Sequence, residues 1–175
     1  MLGDLGCHLL DLVTVVAGDL EAVDCACAAF PKIDKRGRPR TTLRGAKLDA
    51  NDTTVIRLHF AGGVLGVCHA TRWATGHTNS IDLSVYGTED ALRIDLDEGF
   101  DKLYLCLGKN KDKARWTART IRPTPSVYQR FIRSIQTGNR DQPDVVRGAR
   151  VQSYLDACER SARQKGRSTR IRTWM

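Results

Sequence analysis

Apolar and polar residues alternate along this chain with two periods, and the changes of period mark its elements. In the opening stretch "MLGDLGCHLLDLVTVVAG" apolar positions recur at helical spacing, which predicts a helix over residues 4–17 closed by Gly18, with Leu2, Leu5, Leu9, Leu12 and Val16 as its core stripe. A polar stripe interrupts it: Asp4, His8 and Asp11 stand at i, i+4 and i+7, on one side of such a helix. "EAVDCACAAF" follows as a predicted strand, and a Lys/Arg/Pro/Gly-rich segment then runs to about Asn51. From Thr53 the period becomes two, with Ile56, Leu58 and Phe60 pointing one way and Arg57 and His59 the other. "AGG" at Ala61–Gly63 turns the chain, and "VLGVCHATRW" returns as the partner strand of a hairpin.

Four further strands are predicted in "SIDLSVYG", "ALRIDL", "KLYLCLG" and "RWTARTIR", which together make an antiparallel meander. Helical spacing returns after Pro123 and Pro125, where Ser126 can cap a helix that carries Val127, Phe131 and Ile135 and ends at Gly138. Asp144 opens a longer helix, "DVVRGARVQSYLDACERSARQKG", with Val151, Leu155, Cys158 and Ala162 on one side, and "STRIRTW" forms a last short strand. These elements sum to an α+β fold, an open-faced, mostly antiparallel sheet with helices packed on one face. Val55, Tyr86, Tyr104 and Cys106 alternate away from the layer of Ile56, Leu83 and Leu105, so the second sheet face is apolar too. A second copy of the same sheet, in a two-fold homodimer, is the expected cover.

Composition narrows the class. A length of 175 residues fits a single domain spanning 1–175, with 32–50 as its expected mobile loop, and 41% hydrophobic with 27% charged residues is ordinary for a folded soluble protein. No apolar run reaches the roughly 18–20 residues of a membrane helix, and the first residues lack the Lys or Arg of a secretory signal, so a cytoplasmic location is expected. The six cysteines show no C-x2-C pairing and read as reduced core residues. Cys25 and Cys27 would share a strand face, but two ligands without partners make a poor metal site, and no metal is expected.

A net charge of +8 raises the question of an anionic partner. Basic residues cluster over 32–47, 109–122 and 160–172, yet they carry few aromatic residues between them and accompany no helix-turn-helix, zinc-finger or RNP-like pattern. A solvated, anion-attracting surface is the plain reading. The alternative is a noncatalytic module that binds an anionic partner, nucleic acid included, through its basic loop.

Two stretches carry candidate chemistry. Asp4 and His8 lie one helical turn apart, where a carboxylate can orient an imidazole and the pair can relay a proton. Asp4 can equally serve as a first-turn anion favoured by the helix dipole, and Asp11 can pair with an arginine. The segment "RWATGHTNS" gathers Arg72, Trp73, His77 and Asn79 at a strand end and in the following connection, which supplies donors and an aromatic face for a polyol or an acid. It can also be an ordinary polar turn at Gly76.

Three stretches, "GDLGCHLLDLVTVVAG", "DTTVIRLHFAGGVLGVCHATRWATGHTNSIDLSVYGTEDALRIDL" and "PSVYQRFIRSIQTGNRDQPDVVRGARVQSYLDACERSA", resemble in order the C-terminal domain of the Gfo/Idh/MocA oxidoreductases. Asn51, before the second stretch, stands where the family more often has another residue. These are glucose-fructose oxidoreductase, inositol dehydrogenase and related NAD(P)-dependent sugar dehydrogenases. The resemblance implies a domain that supplies an open-faced sheet, much of the substrate pocket and a dimer contact. It places His8 as the proton-transfer residue, Asp4 as its partner, Asp11 in a structural role, and Arg72, Trp73, His77 and Asn79 near substrate. The Rossmann domain, its G-x-G-x-x-G turn and the family's E-K-P segment are not found, since "GGVLG" at Gly62 falls in a hairpin where no helix follows. The expectation is a chain that binds no cofactor alone and is not active alone, whether as a fragment, beside a separate Rossmann partner or as a binding module.

Overall fold

The computed structural model describes residues 1–172. Its elements in chain order are a π-helical turn (Leu2–Gly6), α1 (Cys7–Ala17), β1 (Leu20–Ala28), β2 (Lys32–Ile33), β3 (Pro39–Arg40), β4 (Thr42–Leu43), β5 (Ala46–Lys47), β6 (Thr53–Phe60), β7 (Leu65–Thr71), β8 (Asp82–Tyr86), β9 (Ala91–Asp95) and β10 (Lys102–Cys106). A short 3-10 turn (Gly108–Lys113), β11 (Thr117–Thr120), α2 (Val127–Thr137), α3 (Val145–Arg163) and β12 (Thr169–Arg170) complete it. Of the predicted last strand, Thr173 and Trp174 lie outside the described residues. The elements fall into two compact units, one made of Met1–Trp73 with the segment from Gln142 onward, the other of Ala74–Asp141.

The first unit is a four-stranded antiparallel sheet in the order β12-β1-β6-β7. Cys25 pairs with Ile56 and Ile56 with Cys68, so the period of two read from the sequence stacks Val23, Cys25, Ile56, Leu58, Phe60, Cys68 and Ala70 on one buried face. Gly66 belongs to that packing, because a Cβ there would sit 3.3 Å from the Phe60 ring. Tyr154, Leu155, Ala157 and Cys158 of α3 and Leu10 of α1 close over this face as one apolar cluster. Ser161 stitches helix to sheet: its hydroxyl accepts from the Cys25 amide at 2.8 Å and donates to the Arg167 carbonyl at 2.8 Å. The opposite face shows Val55, Leu65 and Val67 exposed, around an Asp24 carboxylate that takes Arg57 at 2.5 Å and His59 at 2.9 Å.

The first helix turns a partly different face to the core from the one its spacing predicts. Leu2 is buried and Leu9 packs on the core as predicted, but Leu5 and Val16 are exposed, and Leu10 and Thr14 complete the buried stripe with Val13 and Ala17 beside them. The cause is the π turn, in which the Met1 carbonyl accepts the amides of Asp4, Leu5 and Gly6 at 3.2, 2.9 and 3.2 Å. A wider turn rotates everything before Cys7 relative to α1, and Gly18 at φ +88° then ends the helix as expected.

The basic stretch 32–50 holds two small hairpins, β2–β3 and β4–β5. In the second unit β8 to β11 form a four-stranded antiparallel sheet in the order β11-β10-β9-β8. The expected four-strand meander is thus present, but the single open-faced sheet expected is divided in two, because residues between β7 and β8 join no ladder. Most side chains of these strands are half-buried and Cys106 is the one buried residue of this unit, so Cys106 and the half-buried Tyr104 do not belong to an exposed face as Tyr86 does. Helix α2 begins with a capping box between Ser126 and Gln129 and stops at Gly138, φ +68°. Its predicted stripe of Val127, Phe131 and Ile135 is exposed.

Candidate functional site

Asp4, Arg72 and Trp73 meet at one end of the β6–β7 hairpin. Thr53 and Thr71 face each other there, with hydroxyls 2.7 Å apart, and both neighbouring segments reach toward the π turn. From the β6 side the Asn51 carboxamide oxygen accepts the Leu2 amide at 2.8 Å, filling one of the donors a helix start leaves unpaired. From the β7 side the Arg72 guanidinium donates to the Asp4 carboxylate. Two side chains 49 and 68 residues away in sequence from their partners thus fix the first turn against the sheet. The expected Asp4–His8 hydrogen bond is not among those of the described residues. Asp4 is taken by Arg72, and the π turn breaks the simple i, i+4 relation between Asp4 and His8. His8 itself is exposed on the first turn of α1.

Trp73 is half exposed and held on two sides. Its amide donates to the Thr71 hydroxyl at 3.1 Å, its ring meets Phe30 edge-on at 5.8 Å, and the Lys32 ammonium stands 5.2 Å from its centre. Asp52 organises this group. Its carboxylate accepts Lys32 at 2.6 Å and the Phe30 amide at 3.1 Å, while its backbone accepts the Arg72 amide at 3.0 Å and donates to Ala28 at 2.8 Å. The Lys32 ammonium holds the Asp52 carboxyl below the usual carboxylate range. Phe30, Lys32, Asn51 and Asp52 are additions to the sequence reading, in which Lys32 counted only as one charge of the basic loop. An aspartate directly before β6, whose partner β7 runs into "RWATGHTNS", is the available signal.

Asp11 is structural, as its place in the stripe allowed. Arg147 of α3 donates to its carboxylate at 2.6 Å, to its carbonyl at 2.7 Å and to the Thr14 hydroxyl at 2.6 Å, which ties α1 to α3. His77 and Asn79 belong to the second unit. There His77 Nδ1 lies 2.8 Å from the Ser80 hydroxyl and 3.9 Å from the Asp97 carboxylate, and Asn79 is exposed.

Cys25 and Cys27 do share a strand face, with sulfurs 3.8 Å apart, and both lie within reach of the Thr54 hydroxyl. The neighbouring Cys158 thiol and burial push Cys25 up to about 11; Cys27 is raised by Cys25 and by burial, and Cys68 is pushed up to about 11 by burial alone. Thiols held protonated in this way serve packing rather than nucleophilic chemistry. Among the described residues no three His, Cys, Asp or Glu side chains converge as metal ligands. No helix of the described residues is long and apolar enough to cross a membrane.

The glycines of "GGVLG" lie in the β6–β7 turn and in β7, with Gly63 at φ +80°, so a strand follows them and no helix N-terminus receives a pyrophosphate. A nicotinamide dinucleotide does not fit this segment. Fold and site together therefore define an α+β domain that presents polar and aromatic side chains at a sheet end. The model of the oxidoreductase family's C-terminal alpha/beta domain matches residues 1–169, and the chain belongs to that family, the Gfo/Idh/MocA oxidoreductases. In sequence it is similar to levoglucosan dehydrogenase of Pseudarthrobacter phenanthrenivorans, 28% identical over 100 residues that cover 52% of this chain and 26% of that protein. In structure it is similar to levoglucosan dehydrogenase in complex with NADH and levoglucosan, with a TM-score of 0.81, 21% identity, and 99% of this chain covering 50% of that one. An oxidoreductase domain protein from Kribbella flavida gives a TM-score of 0.78 at 24% identity, with 98% of this chain and 51% of that chain covered. The chain thus spans about half the length of the solved relatives it matches.

Proposed function

We propose that this chain is the substrate-binding and dimerisation domain of an NAD(P)-dependent oxidoreductase acting on a sugar, polyol or related compound. The observation that carries the reading is the cluster at the end of the β6–β7 hairpin, where the Asp4–Arg72 pair joins the first helical turn to a braced, half-exposed Trp73. Family membership over residues 1–169 and relatives solved with NADH support it. Aromatic faces and charged hydrogen-bonding groups are what a polyhydroxylated ligand needs.

In this reading His8 exchanges the proton of the reacting hydroxyl or carbonyl, because imidazole is the side chain that gains and loses a proton near neutral pH. Asp4 and Arg72 set the local charge, and Trp73 offers its face to the ring of the substrate. Hydride chemistry belongs to the nicotinamide, whose dinucleotide must be held by a Rossmann domain, joined to these residues or separate. Without such a domain the 175 residues bind no NAD(P) and turn over no substrate. The exposed Val55, Leu65 and Val67 are the dimer face.

A titration of the isotope-labelled chain with levoglucosan and with myo-inositol tests the assignment. Saturable NMR shifts at His8 and Trp73 are expected with at least one of them. No response at either residue contradicts it. A second reading, binding of an anionic partner through the exposed hairpins of 32–50, draws on the charges of Lys35, Arg36, Arg40 and Arg44. It predicts salt-dependent retention of oligonucleotides that a K35Q/R36Q/R40Q variant loses.

A further inference from the structure

The second unit contains a cavity of about 1200 Å³ between the Arg122–Pro125 segment, one face of α2 and residues 139–141. Local sequence explains its shape. Pro123 and Pro125 stiffen the approach, the Ser126 capping box turns the chain into α2, and Gly138 turns it out again. The exit is fixed in place, because the Ser134 hydroxyl donates to the Asn139 carbonyl at 2.5 Å and the Asn139 amide donates to the Thr137 hydroxyl at 3.4 Å.

The lining is strongly unbalanced in charge. Four guanidiniums, those of Arg122, Arg130, Arg133 and Arg140, face a single carboxylate, Asp141. Arg130 grips that carboxylate through both arms of its fork, at 2.7 and 2.8 Å. Among the described residues no carboxylate comes within ion-pair distance of Arg122, Arg133 or Arg140. Three uncompensated cations around a concavity focus positive potential inside it, and a guanidinium fork matches the oxygens of phosphate and carboxylate groups. The volume is more than a lone inorganic anion fills and is on the scale of small-molecule sites, about 300–1,000 Å³. In the hairpins of 32–50, also basic, Lys35, Arg36, Arg38 and Arg44 lie outside the strands on exposed residues.

We infer that this cavity binds a small polyanion, a molecule with two or more phosphate or carboxylate groups. The site lies wholly within the second unit and stands independently of the role proposed for His8. Arg122, Arg133 and Arg140 contact the ligand, and Arg130, locked to Asp141, positions the exit segment.

Isothermal titration of the full chain with inorganic pyrophosphate, with citrate and with glucose tests the inference. One site per chain is expected for pyrophosphate, citrate or both, with affinity falling as salt rises and no heat from glucose. Which of the two polyanions binds more tightly separates phosphate from carboxylate chemistry, and either preference supports the site. R133Q/R140Q weakens binding at least about tenfold. T124E, which adds a negative charge to the same lining and removes no arginine, does likewise. K35Q/R36Q leaves the affinity unchanged, and circular dichroism confirms that each variant is folded. The inference is overturned if neither polyanion binds, if both cavity variants retain full affinity, if K35Q/R36Q abolishes binding, or if an oligonucleotide binds where the small anions do not.

Discussion

The two sheets of this chain solve the same burial problem with unequal means. In the first unit α1 and α3 cover one face of β1, β6 and β7, and Leu10, Val23, Cys25, Ile56, Ala157 and Cys158 lose all contact with solvent. In the second unit most side chains of β8, β9 and β10 are half-buried, β11 is exposed, Cys106 alone is buried, and the apolar stripe of α2 stands in water, with Val127 69%, Phe131 65% and Ile135 64% exposed. The first unit carries its own core. The second keeps apolar surface uncovered. Core stability is thereby concentrated in the first unit, and substitutions in the two units should separate.

The largest effect is expected in the buried sheet. Ile56→Ala removes a fully buried side chain and should cost about 2–5 kcal/mol in chemical denaturation, enough to unfold a marginal domain. Arg147→Met should cost about 2 kcal/mol, because it strips three hydrogen bonds from Asp11 and Thr14 and leaves the Asp11 carboxylate without its cation. A loss under about half a kcal/mol in either would mean that the first unit is not held by these contacts.

Acid sharpens the comparison further. Burial opposes the charge of Asp24, but bonds from His59, Arg57 and Ser168 overcome it and hold its pKa at about 2. Its folded pKa is depressed, so its contribution is complete above the unfolded carboxylate range and disappears as pH falls from about 4 to about 2. The contribution is on the order of 1–2 kcal/mol. In Asp24→Asn the difference between stabilities measured at pH 6 and pH 2 should shrink by that amount. An unchanged acid limb would show that Asp24 does not supply it.

Smaller effects belong to exposed positions. Phe131→Ala should change the stability of the isolated chain by less than about 0.5 kcal/mol, since nothing among the described residues covers it. Arg72→Gln should be comparably mild in denaturation, because a solvent-exposed ion pair contributes a few tenths of a kcal/mol. Its consequence should appear instead as weakened levoglucosan or inositol response at Trp73.

Much of this division can be read in the sequence. The alternation from Thr53 to Phe60 gives the β6–β7 hairpin because a one-residue slip would expose Ile56 and Leu58, and Gly18, Ser126 and Gly138 mark their helix ends by requirements of local geometry. The phase of α1 is another matter. A π turn depends on what the first residues meet in space, here Asn51 and Arg72, and no local pattern encodes that. For the same reason Asp4 reads as a partner of His8, its neighbour by spacing, while the guanidinium that reaches it comes from the far end of β7. The exposed stripe of α2 is indistinguishable in sequence from a buried one, because amphipathicity states that a face needs cover and not what covers it.

Native-state hydrogen exchange tests the division most directly. The amides of Ile56, Leu58 and Tyr154 should exchange only through global unfolding, while those of β9, β10 and α2 should exchange through smaller openings at least about tenfold faster. Equal protection in both units, or slower exchange in the second, would contradict the claim that the first unit alone carries the core on which the candidate site is built.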